Sequence, residues 1–401
     1  MNNTEIKITR WPYLLAGVVM LLLAGILYAW SILKAPLAQE FGWNEAELGL
    51  NFTITMCGFC VGGILGGILT KKISPRNAAM IAAVLMFLGF FGSSRLTGNI
   101  VHLYLCYGVL SGLGIGITYN VVISTITKWF PDKRTAASGV LMMSFGASTL
   151  LIGAIMSEFI EISGWRNAYF VLGLVIAIIL IACSLILRFP DARINDLVVS
   201  SSKKVSETGE DYVVGEMVKR SSFWKVYIFQ LLICAIGTGV ISMVRDVTLS
   251  VGVQESMAVL LVGVLSVCNG LGRILFGFLF DNTGSRKTMI LSSCFAILSC
   301  ILMLTAVLLS SIAVTTIGLV LLGLTAGSMP PISSGVASSF YGTKNFPLNF
   351  SVINTMLFPA SFSAAIAGII IGATGNYTFV FIMFLCFAIA AFGINISIRK
   401  V

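Results

Sequence analysis

Residues 277–287 read Gly-Phe-Leu-Phe-Asp-Asn-Thr-Gly-Ser-Arg-Lys and lie between two long apolar runs. Residues 67–76 read Gly-Ile-Leu-Thr-Lys-Lys-Ile-Ser-Pro-Arg and also join two apolar runs. The leading glycines, Gly67 and Gly277, lie 210 residues apart, and the second copy is the fuller one. Two related strings at this spacing indicate that the chain is built from two similar halves.

The composition places both halves in a membrane. The chain has 401 residues, of which 57% are hydrophobic and 10% are charged, whereas soluble domains carry roughly 45–50% apolar and about 25% charged residues. A helix that crosses a bilayer needs about 20 apolar residues, so the chain can supply about twelve spans with short connections. This arithmetic leaves no room for a soluble catalytic domain and predicts a membrane protein with many spans.

Apolar runs bounded by charged or turn residues predict twelve helices in two sets of six. The predicted spans are 12–33, 47–70, 77–95, 101–127, 136–158, 166–187, 223–248, 257–280, 288–309, 312–338, 347–372 and 377–397. The long polar segment between the two sets predicts a cytoplasmic linker. We therefore expect an N-terminal six-helix bundle at 1–187, a linker at 188–221 and a C-terminal six-helix bundle at 222–401.

The basic residues are distributed unevenly between the two predicted sides of the membrane. With the N-terminus inside, the cytoplasmic side collects 20 of the 25 lysines and arginines. This asymmetry follows the positive-inside rule and predicts a cytoplasmic (inner) membrane protein with both termini in the cytoplasm. It also accounts for the net charge of +9 without a nucleic-acid partner. The twenty residues are Lys7, Arg10, Lys71, Lys72, Arg76, Lys128, Lys133, Arg134, Arg188, Arg193, Lys203, Lys204, Lys219, Arg220, Lys225, Arg286, Lys287, Lys344, Arg399 and Lys400.

The string at 277–287 carries a pattern formed by Gly277, Asp281, Gly284, Arg286 and Lys287. Together with the six-plus-six layout, this pattern resembles the major facilitator superfamily over essentially the whole chain. The resemblance implies an all-α fold of twelve transmembrane helices in two pseudo-symmetric six-helix bundles, with a gating role for the five residues. Glycine permits the tight turn that a short loop requires, and the aspartate can bind a helix N-terminus or a basic residue. The first copy departs from the pattern, with lysine and serine in place of the aspartate and the second glycine.

Four shorter strings resemble a narrower group. They are Gly-Ile-Leu-Tyr-Ala-Trp-Ser at 25–31, Gly-Leu-Gly-Ile-Gly-Ile-Thr-Tyr at 112–119, Trp-Phe-Pro-Asp-Lys-Arg at 129–134 and Asn-Gly-Leu-Gly-Arg at 269–273. All four are similar to the oxalate/formate antiporter family, and the spacing of the last is shared with the related proton-linked monocarboxylate transporters. The resemblance implies transport of small carboxylates, and it adds Asp132 and Arg134 to the expected gating residues.

Arg273 falls near the middle of the eighth predicted helix. A charge at bilayer depth costs about 2.5–3.5 kcal/mol on insertion scales, so this side chain must face a cavity and meet an anion. None of the sixteen acidic residues falls at mid-depth of a predicted span, and Asp246, near the outer end of the seventh, comes closest. We therefore expect Arg273 to bind a carboxylate through its planar guanidinium, with a structural ion pair as the alternative.

Asn269 lies one helical turn from Arg273 on the same face. By resemblance to monocarboxylate transporters, this position can hold a protonatable aspartate. Because asparagine cannot exchange a proton at physiological pH, its presence favours anion exchange or facilitated flux. Asp246, next to Arg245, is the alternative proton carrier, and an ion pair at the outer interface is the simpler interpretation of that residue.

The resemblance places Tyr28 and Tyr119 in the substrate cavity, where their hydroxyls could bond a carboxylate; packing or an interfacial position is the alternative. Oxalate transporters of this family carry a second membrane cation in the eleventh helix, where this sequence has Leu357. Cavity aromatics of the tenth and eleventh helices are replaced by Met329 and Asn354. One fixed positive charge would neutralise a dianion poorly, so we expect a monoanion such as formate, lactate or pyruvate.

Glycines recur every four residues in two apolar runs, at Gly58, Gly62 and Gly66 and at Gly108, Gly112 and Gly116. Such faces let membrane helices approach closely, so we interpret them as packing surfaces and not as a nucleotide-binding loop. We also expect Pro330, Pro331 and Pro359 to break their helices and provide hinges. No set of residues on facing helices predicts a catalytic centre, so we expect no enzyme activity, no cofactor and no metal.

These observations predict a secondary transporter of small carboxylates that works by alternating access, with oxalate/formate-type exchange within its range. The expected partners are a small carboxylate anion and the lipid bilayer, and we expect the protein to function as a monomer. Two alternatives stay open. One is a proton-coupled monocarboxylate symporter, in which the proton is a second partner; the other is a carboxylate sensor that has the same fold without transport.

Overall fold

The computed structural model describes residues 10–190 and 210–398, and these residues form helices and connecting turns but no strand. The chain divides into two compact units, residues 1–206 and 207–401, each held together by contacts of its own. The first nine residues, the middle of the expected linker and the last three residues lie outside the described ranges.

Twelve helices among the described residues are long and apolar enough to cross a bilayer, which confirms the predicted all-α membrane fold. Six lie in each unit. They are α1 Trp11–Phe41, α2 Glu47–Lys72, α3 Pro75–Ser94, α4 Ile100–Trp129, α5 Arg134–Ser163, α6 Trp165–Ile186, α7 Ser221–Ser250, α8 Leu260–Thr283, α9 Ser285–Leu309, α10 Ile312–Tyr341, α11 Phe346–Thr374 and α12 Thr378–Ile396. A short helix, Val214–Met217, precedes α7.

Four of these helices contain an irregular stretch. α1 tightens to a 3-10 helix at Gly25–Ala29, whereas α4 and α5 widen to π-helix at Tyr104–Ser111 and Thr149–Gly153. α11 is interrupted between the segments Phe346–Asn354 and Leu357–Thr374. Irregular turns of this kind are frequent at functional sites, because they redirect side chains and leave helix positions that can move.

Proline explains the interruption of α11 but does not interrupt α10. Pro359 has no N–H for the carbonyl of Thr355, which accepts a tighter bond from the N–H of Phe358 at 3.1 Å. α10 runs without a break from Ile312 to Tyr341 through Pro330 and Pro331, so the predicted break there is wrong. Its turns on either side of the prolines keep their hydrogen bonds, and close packing against α8, described below, supports the helix.

The glycine faces of α2 and α4 lie directly against each other. A Cβ atom added to Gly58 would lie 3.2 Å from the Cα atom of Gly112, and one added to Gly66 would lie 3.2 Å from the Cα atom of Ile117. No side chain larger than hydrogen fits at these positions without moving the neighbouring backbone. The interpretation of the glycine repeats as packing surfaces is therefore confirmed.

The α2–α3 and α8–α9 loops make the same short connection with different residues. Gly284 joins α8 to α9 with φ +84° and ψ 170°, a conformation that is open to glycine. In the first copy Ser74 has φ −64°, and its hydroxyl accepts a hydrogen bond from the N–H of Asn77 at 3.2 Å. Pro75 then begins α3, a favoured first position of a helix. A serine cap thus replaces the glycine turn.

Candidate substrate-binding site

Arg273 is buried near the middle of α8, with 7% of its surface exposed. Its Nε–H donates a hydrogen bond to Oδ1 of Asn269, one turn earlier, at 3.3 Å. The structure therefore brings together the two residues that the sequence pairs on one helix face. Because the amide is neutral, this bond orients the guanidinium without cancelling its charge.

The backbone that carries Arg273 is held by α10. A Cβ atom added to Gly327 would collide with the carbonyl oxygen of Asn269 and would lie 3.1 Å from the backbone nitrogen of Arg273. A Cβ atom added to Gly323, one turn earlier, would lie 2.7 Å from the carbonyl oxygen of Leu265. Two glycines of α10 thus let its backbone touch the turn of α8 that presents the arginine.

The N-terminal unit repeats this contact without the charge. A Cβ atom added to Gly116 of α4 would collide with the carbonyl oxygen of Phe59 and would lie 2.8 Å from the backbone nitrogen of Gly63. Phe59 and Gly63 lie 210 residues before Asn269 and Arg273. The duplication predicted from the loop strings therefore extends to atomic contacts, and the arginine is a feature of the second half alone.

Helix α7 connects the surroundings of Arg273 to α11. Cys234 of α7 is buried and lies near Arg273. One turn further, the Thr238 hydroxyl lies 3.1 Å from the carbonyl oxygen of Ala360 and 2.9 Å from the hydroxyl of Ser363. The second segment of α11 is therefore fixed to the helix that flanks the arginine.

The three residues of α10 and α11 that differ from the oxalate transporter pattern lie in different environments. Met329 is fully buried on α10. Asn354, 7% exposed, is the last residue before the interruption of α11, and the half-buried Leu357 is the first residue after it. Thr355, between them, meets the hydroxyl of Tyr227 at 3.2 Å. Their role as substrate contacts stays a prediction.

Tyr28 and Tyr119 belong to one aromatic cluster in the N-terminal unit. Their rings both contact the ring of Phe145, at centroid distances of 5.5 Å and 5.0 Å, and Tyr119 also contacts Phe59 at 5.2 Å. Tyr28 is 38% exposed, whereas Tyr119 is 7% exposed. Neither phenylalanine could be predicted from the sequence as a neighbour of these tyrosines, because a phenylalanine in an apolar span carries no local signal that separates a binding surface from packing.

Asp246 lies near the C-terminal end of α7 beside Arg245. The two side chains form an ion pair at 3.7 Å and are 58% and 51% exposed. Exposed pairs of this kind contribute little to stability. This ion pair agrees with the simpler interpretation of Asp246. A role of Asp246 as a proton carrier stays a prediction.

The expected gating residues lie in and beside the α4–α5 and α8–α9 connections, at the predicted cytoplasmic side. Arg286 and Lys287, in the first turn of α9, are exposed, and Asp281 near the end of α8 is half-buried. In the other loop, Asp132 forms an ion pair with Arg10, whose Nη1 also donates to the carbonyl oxygen of Trp129 at 3.3 Å. The gating roles of Gly277, Asp281, Gly284, Arg286, Lys287, Asp132 and Arg134 are not tested by these contacts.

Trp129 anchors the N-terminal unit at this end of α4. Its ring stacks on Tyr13 of α1 at 3.7 Å, and its Nε1–H donates to the carbonyl oxygen of Arg188 at 2.9 Å. With the bond from Arg10, the end of α4 is tied both to the start of α1 and to the chain that leaves α6. The sequence shows the Trp-Phe-Pro-Asp string but not these partners, which lie 59 to 119 residues away.

No group of three or more histidine, cysteine, aspartate or glutamate side chains among residues 10–190 and 210–398 could hold a metal ion. Nine cysteines are free thiols. The buried polar groups of the helices in these ranges include one guanidinium, several amides, hydroxyl groups and thiols.

Several relatives of the chain are named as carboxylate transporters. It is 26% identical to the oxalate:formate antiporter of Oxalobacter formigenes, over 98% of this chain and 93% of the relative. It is also 24% identical to monocarboxylate transporter 13 of Bos taurus, over 94% and 86% of the two chains, and 24% identical to human monocarboxylate transporter 12, over 88% and 73%. These similarities confirm the resemblance drawn from the four short strings.

The fold has solved counterparts. The structure of the proton:xylose symporter XylE matches with a TM-score of 0.72 at 16% identity, covering 98% of this chain and 97% of that one. The transporter FucP in its outward conformation matches with a TM-score of 0.67 at 14% identity, covering 97% and 99%. At these identities the likeness establishes the fold alone. The sequence model of the Major Facilitator Superfamily matches residues 14–362, and the chain therefore belongs to this family of membrane transporters.

Proposed function

We propose that this transporter carries small monocarboxylate anions, such as formate, lactate or pyruvate, by alternating access of its two six-helix halves. Arg273 binds the carboxylate, and the transporter works as a monomer in the cytoplasmic membrane with both termini inside. The observation that carries the proposal is a buried guanidinium near the middle of α8, oriented by the neutral amide of Asn269.

A cation placed at this depth in a membrane is costly. A charge at the centre of a membrane helix costs about 2.5–3.5 kcal/mol on insertion scales, so such residues mark substrate pathways more often than packing. Asn269 and Gly327 fix the side chain and the backbone of Arg273, respectively. A guanidinium held in this way is prepared for the planar, two-oxygen geometry of a carboxylate.

The single charge favours a monoanion. In the oxalate transporters that the sequence resembles, a second cation belongs on the eleventh helix, and here that helix has Leu357 at the corresponding place. Binding of a monoanion would neutralise Arg273, whereas a dianion would leave one negative charge in the cavity. The low-dielectric surroundings make this difference large.

The charge of Arg273 also favours the exchange of one anion for another. The loaded transporter has a neutralised Arg273 and closes at a lower cost than the empty one, so its return step requires an anion from the other side. Asn269 cannot deliver a proton, and the relative from Oxalobacter formigenes is an antiporter by name. Proton symport would require another carrier, for which Asp246 is the candidate.

Reconstituted vesicles test the proposal. We expect rapid uptake of labelled formate, lactate or pyruvate into vesicles preloaded with unlabelled acid and slow uptake into empty ones. Arg273→Gln should abolish exchange, whereas Arg245→Gln, which removes an exposed arginine of α7, should not. Equal uptake into empty and preloaded vesicles would exclude obligatory exchange, and normal exchange by Arg273→Gln would exclude the carboxylate site.

Two further measurements separate the alternatives. Uptake into empty vesicles that follows an inward proton gradient, and that is lost in Asp246→Asn, would establish proton symport in place of exchange. Thermal stabilisation of the purified protein by a carboxylate, with no counterflow in vesicles, would establish a sensor. Ligand binding to the folded state raises stability, so the stabilisation assay also ranks the candidate acids.

A further inference from the structure

The chain that enters α7 passes across the ends of α10 and α11 before the membrane helix begins. Residues 210–213, called here the strap, contact both helices through the backbone of Tyr212. Its N–H donates to the carbonyl oxygen of Tyr341, the last residue of α10, at 3.2 Å. Its carbonyl oxygen accepts from Nδ2 of Asn345 at 3.1 Å and from Nδ2 of Asn349, in α11, at 3.0 Å.

Side chains reinforce this attachment. The Oδ1 atom of Asp211 accepts the backbone N–H of Lys344 at 2.9 Å. The ring of Tyr212 is buried, 6.5 Å from the ring of Tyr341, and the guanidinium of Arg220 lies over its face at 4.1 Å. Every contact is made within the C-terminal unit.

The loop between α10 and α11 is shaped to receive the strap. Gly342 has φ +76°, which favours glycine, and a Cβ atom added there would collide with Oδ1 of Asp211. The hydroxyl of Tyr341 meets that of Ser222, in the first turn of α7, at 3.3 Å. The strap, the loop and the start of α7 therefore form one hydrogen-bonded layer.

Beyond this layer, both helices have a weak point. Pro330 and Pro331 each remove a hydrogen bond from α10, and α11 is interrupted just after Asn354. The stretches between the strap and these points are residues 332–341 and 346–354, called here the gate segments. Hinges in transporters and other moving proteins are commonly a few positions of this kind, with stiff segments on either side.

We propose that the strap binds the two gate segments into one moving body, which bends where Pro330 and Pro331 leave two hydrogen bonds unmade in the otherwise continuous α10 and where α11 is interrupted. Tyr212 and Asp211 act through the gate segments and lie away from α8, which carries Arg273. They are therefore positioning residues and do not contact the substrate in this proposal. Releasing the strap leaves the carboxylate site on α8 intact but lets the gate segments move separately. The cycle then slows while the affinity for the substrate is kept, and this last part rests on the proposed function.

The variants follow from the contacts. Asp211→Ala removes the acceptor for the N–H of Lys344 at an exposed position, so the fold should survive. Asp211→Asn keeps the acceptor oxygen and serves as the conservative rescue. Asn349→Leu, at a buried place, removes one bond to Tyr212 and a longer one to the carbonyl oxygen of Tyr341, and it is combined with Asp211→Ala to loosen the strap further. Lys219→Ala, an exposed change just beyond the strap, is the matched control.

Hydrogen exchange of the full-length protein measures the strap without reference to transport. In Asp211→Ala we expect faster deuterium uptake in both gate segments together, with no change in residues 312–325 of α10. Asp211→Asn and Lys219→Ala should match the wild type. Faster uptake in one gate segment only, or none in the double variant, would overturn the proposal that they form one body.

Carboxylate exchange and binding complete the test in reconstituted and purified protein. We expect turnover to fall about fivefold or more in Asp211→Ala, as for a gating step that limits the cycle, with the dissociation constant unchanged and recovery in Asp211→Asn. Unchanged turnover in a variant whose strap is released, or an equal loss of binding, would refute the gating role. If the wild type exchanges no carboxylate, the proposed function fails, and hydrogen exchange still decides the strap.

Discussion

The contact between Gly327 and helix α8 gives the most direct test of how Arg273 is held. Gly327→Ala adds one methyl group, which would collide with the carbonyl oxygen of Asn269 and lie 3.1 Å from the backbone nitrogen of Arg273. Both neighbours are backbone atoms, so a side-chain rotation cannot relieve the collision. α8 and α10 must separate at the turn that carries the arginine.

The magnitude follows from two opposing terms. Overpacking a tight contact costs about 1–3 kcal/mol. Replacing a helical glycine in open space gains about 0.4–1 kcal/mol by restricting the unfolded chain. Gly263, in the facing helix α8, has no atom within 4 Å of an added Cβ and provides that reference. We expect the free energies of unfolding of Gly327→Ala and Gly263→Ala to differ by about 1.4–4 kcal/mol.

The assay compares stability with carboxylate affinity in three purified variants. Gly327→Ala should lose stability and should also bind carboxylate at least about tenfold more weakly, which is about 1.4 kcal/mol, because the guanidinium moves. Gly116→Ala meets the same collision in the N-terminal unit, against Phe59 and Gly63. It should lose similar stability, measured by denaturant or thermal unfolding in detergent, and lose clearly less affinity than Gly327→Ala when titrated with formate, lactate or pyruvate.

If Gly327→Ala is as stable as Gly263→Ala and binds carboxylate like the wild type, α10 does not hold the turn that carries Arg273. Equal loss of affinity in Gly116→Ala and Gly327→Ala would show that the effect is general loosening of the bundle and not displacement of Arg273. The proposed positioning of Arg273 is supported only if both variants are destabilised and Gly327→Ala loses more carboxylate affinity than Gly116→Ala.

Three further predictions concern single contacts. Asn269→Leu should weaken carboxylate binding by tenfold or more, since a hydrogen bond to a charged group contributes about 1.5–3 kcal/mol, and an unchanged titration would show that the amide does not orient Arg273. Trp129→Ala should lower the free energy of unfolding by about 3–5 kcal/mol, measured by chemical denaturation, because the fully buried ring stacks on Tyr13; a loss under 1 kcal/mol would contradict the anchoring role. The hydrogen bond to the Glu210 carboxylate raises the pKa of Tyr212 above its ordinary value. The contribution of this hydrogen bond to stability should be complete below about pH 10 and lost as the pH rises through the raised pKa of Tyr212. The difference in deuterium uptake at 210–220 between wild type and Tyr212→Phe should therefore shrink in strong alkali.

Most of the fold could be predicted because the bilayer allows few solutions. Backbone groups in hydrocarbon must pair within their own helix, so long apolar runs such as 166–187 become helices wherever they occur. The structure places the corresponding helix at Trp165–Ile186. Local signals also predicted the close approach of the glycine faces, because small residues at every fourth position share one side of a helix.

The irregular backbone was harder to predict. The prolines of α10 suggested a break, but the helix continues through them because its remaining hydrogen bonds and its packing against α8 hold it together. The π-helical turns at Tyr104–Ser111 and Thr149–Gly153 have no local signal in the sequence. Such turns depend on the neighbouring helices as well as on the residues within them.

Sequence by itself determined what is local or periodic in this protein: the membrane, the twelve helices, the duplication, and the pairing of Asn269 with Arg273 one turn apart. Tertiary structure alone decided which distant residues meet. Examples are Phe145 beside both Tyr28 and Tyr119, the glycines of α10 behind Arg273, and Tyr212 bound to the ends of α10 and α11. The physical reason is that helix formation follows from contacts four residues apart, whereas these contacts join residues from different helices and depend on how whole helices pack.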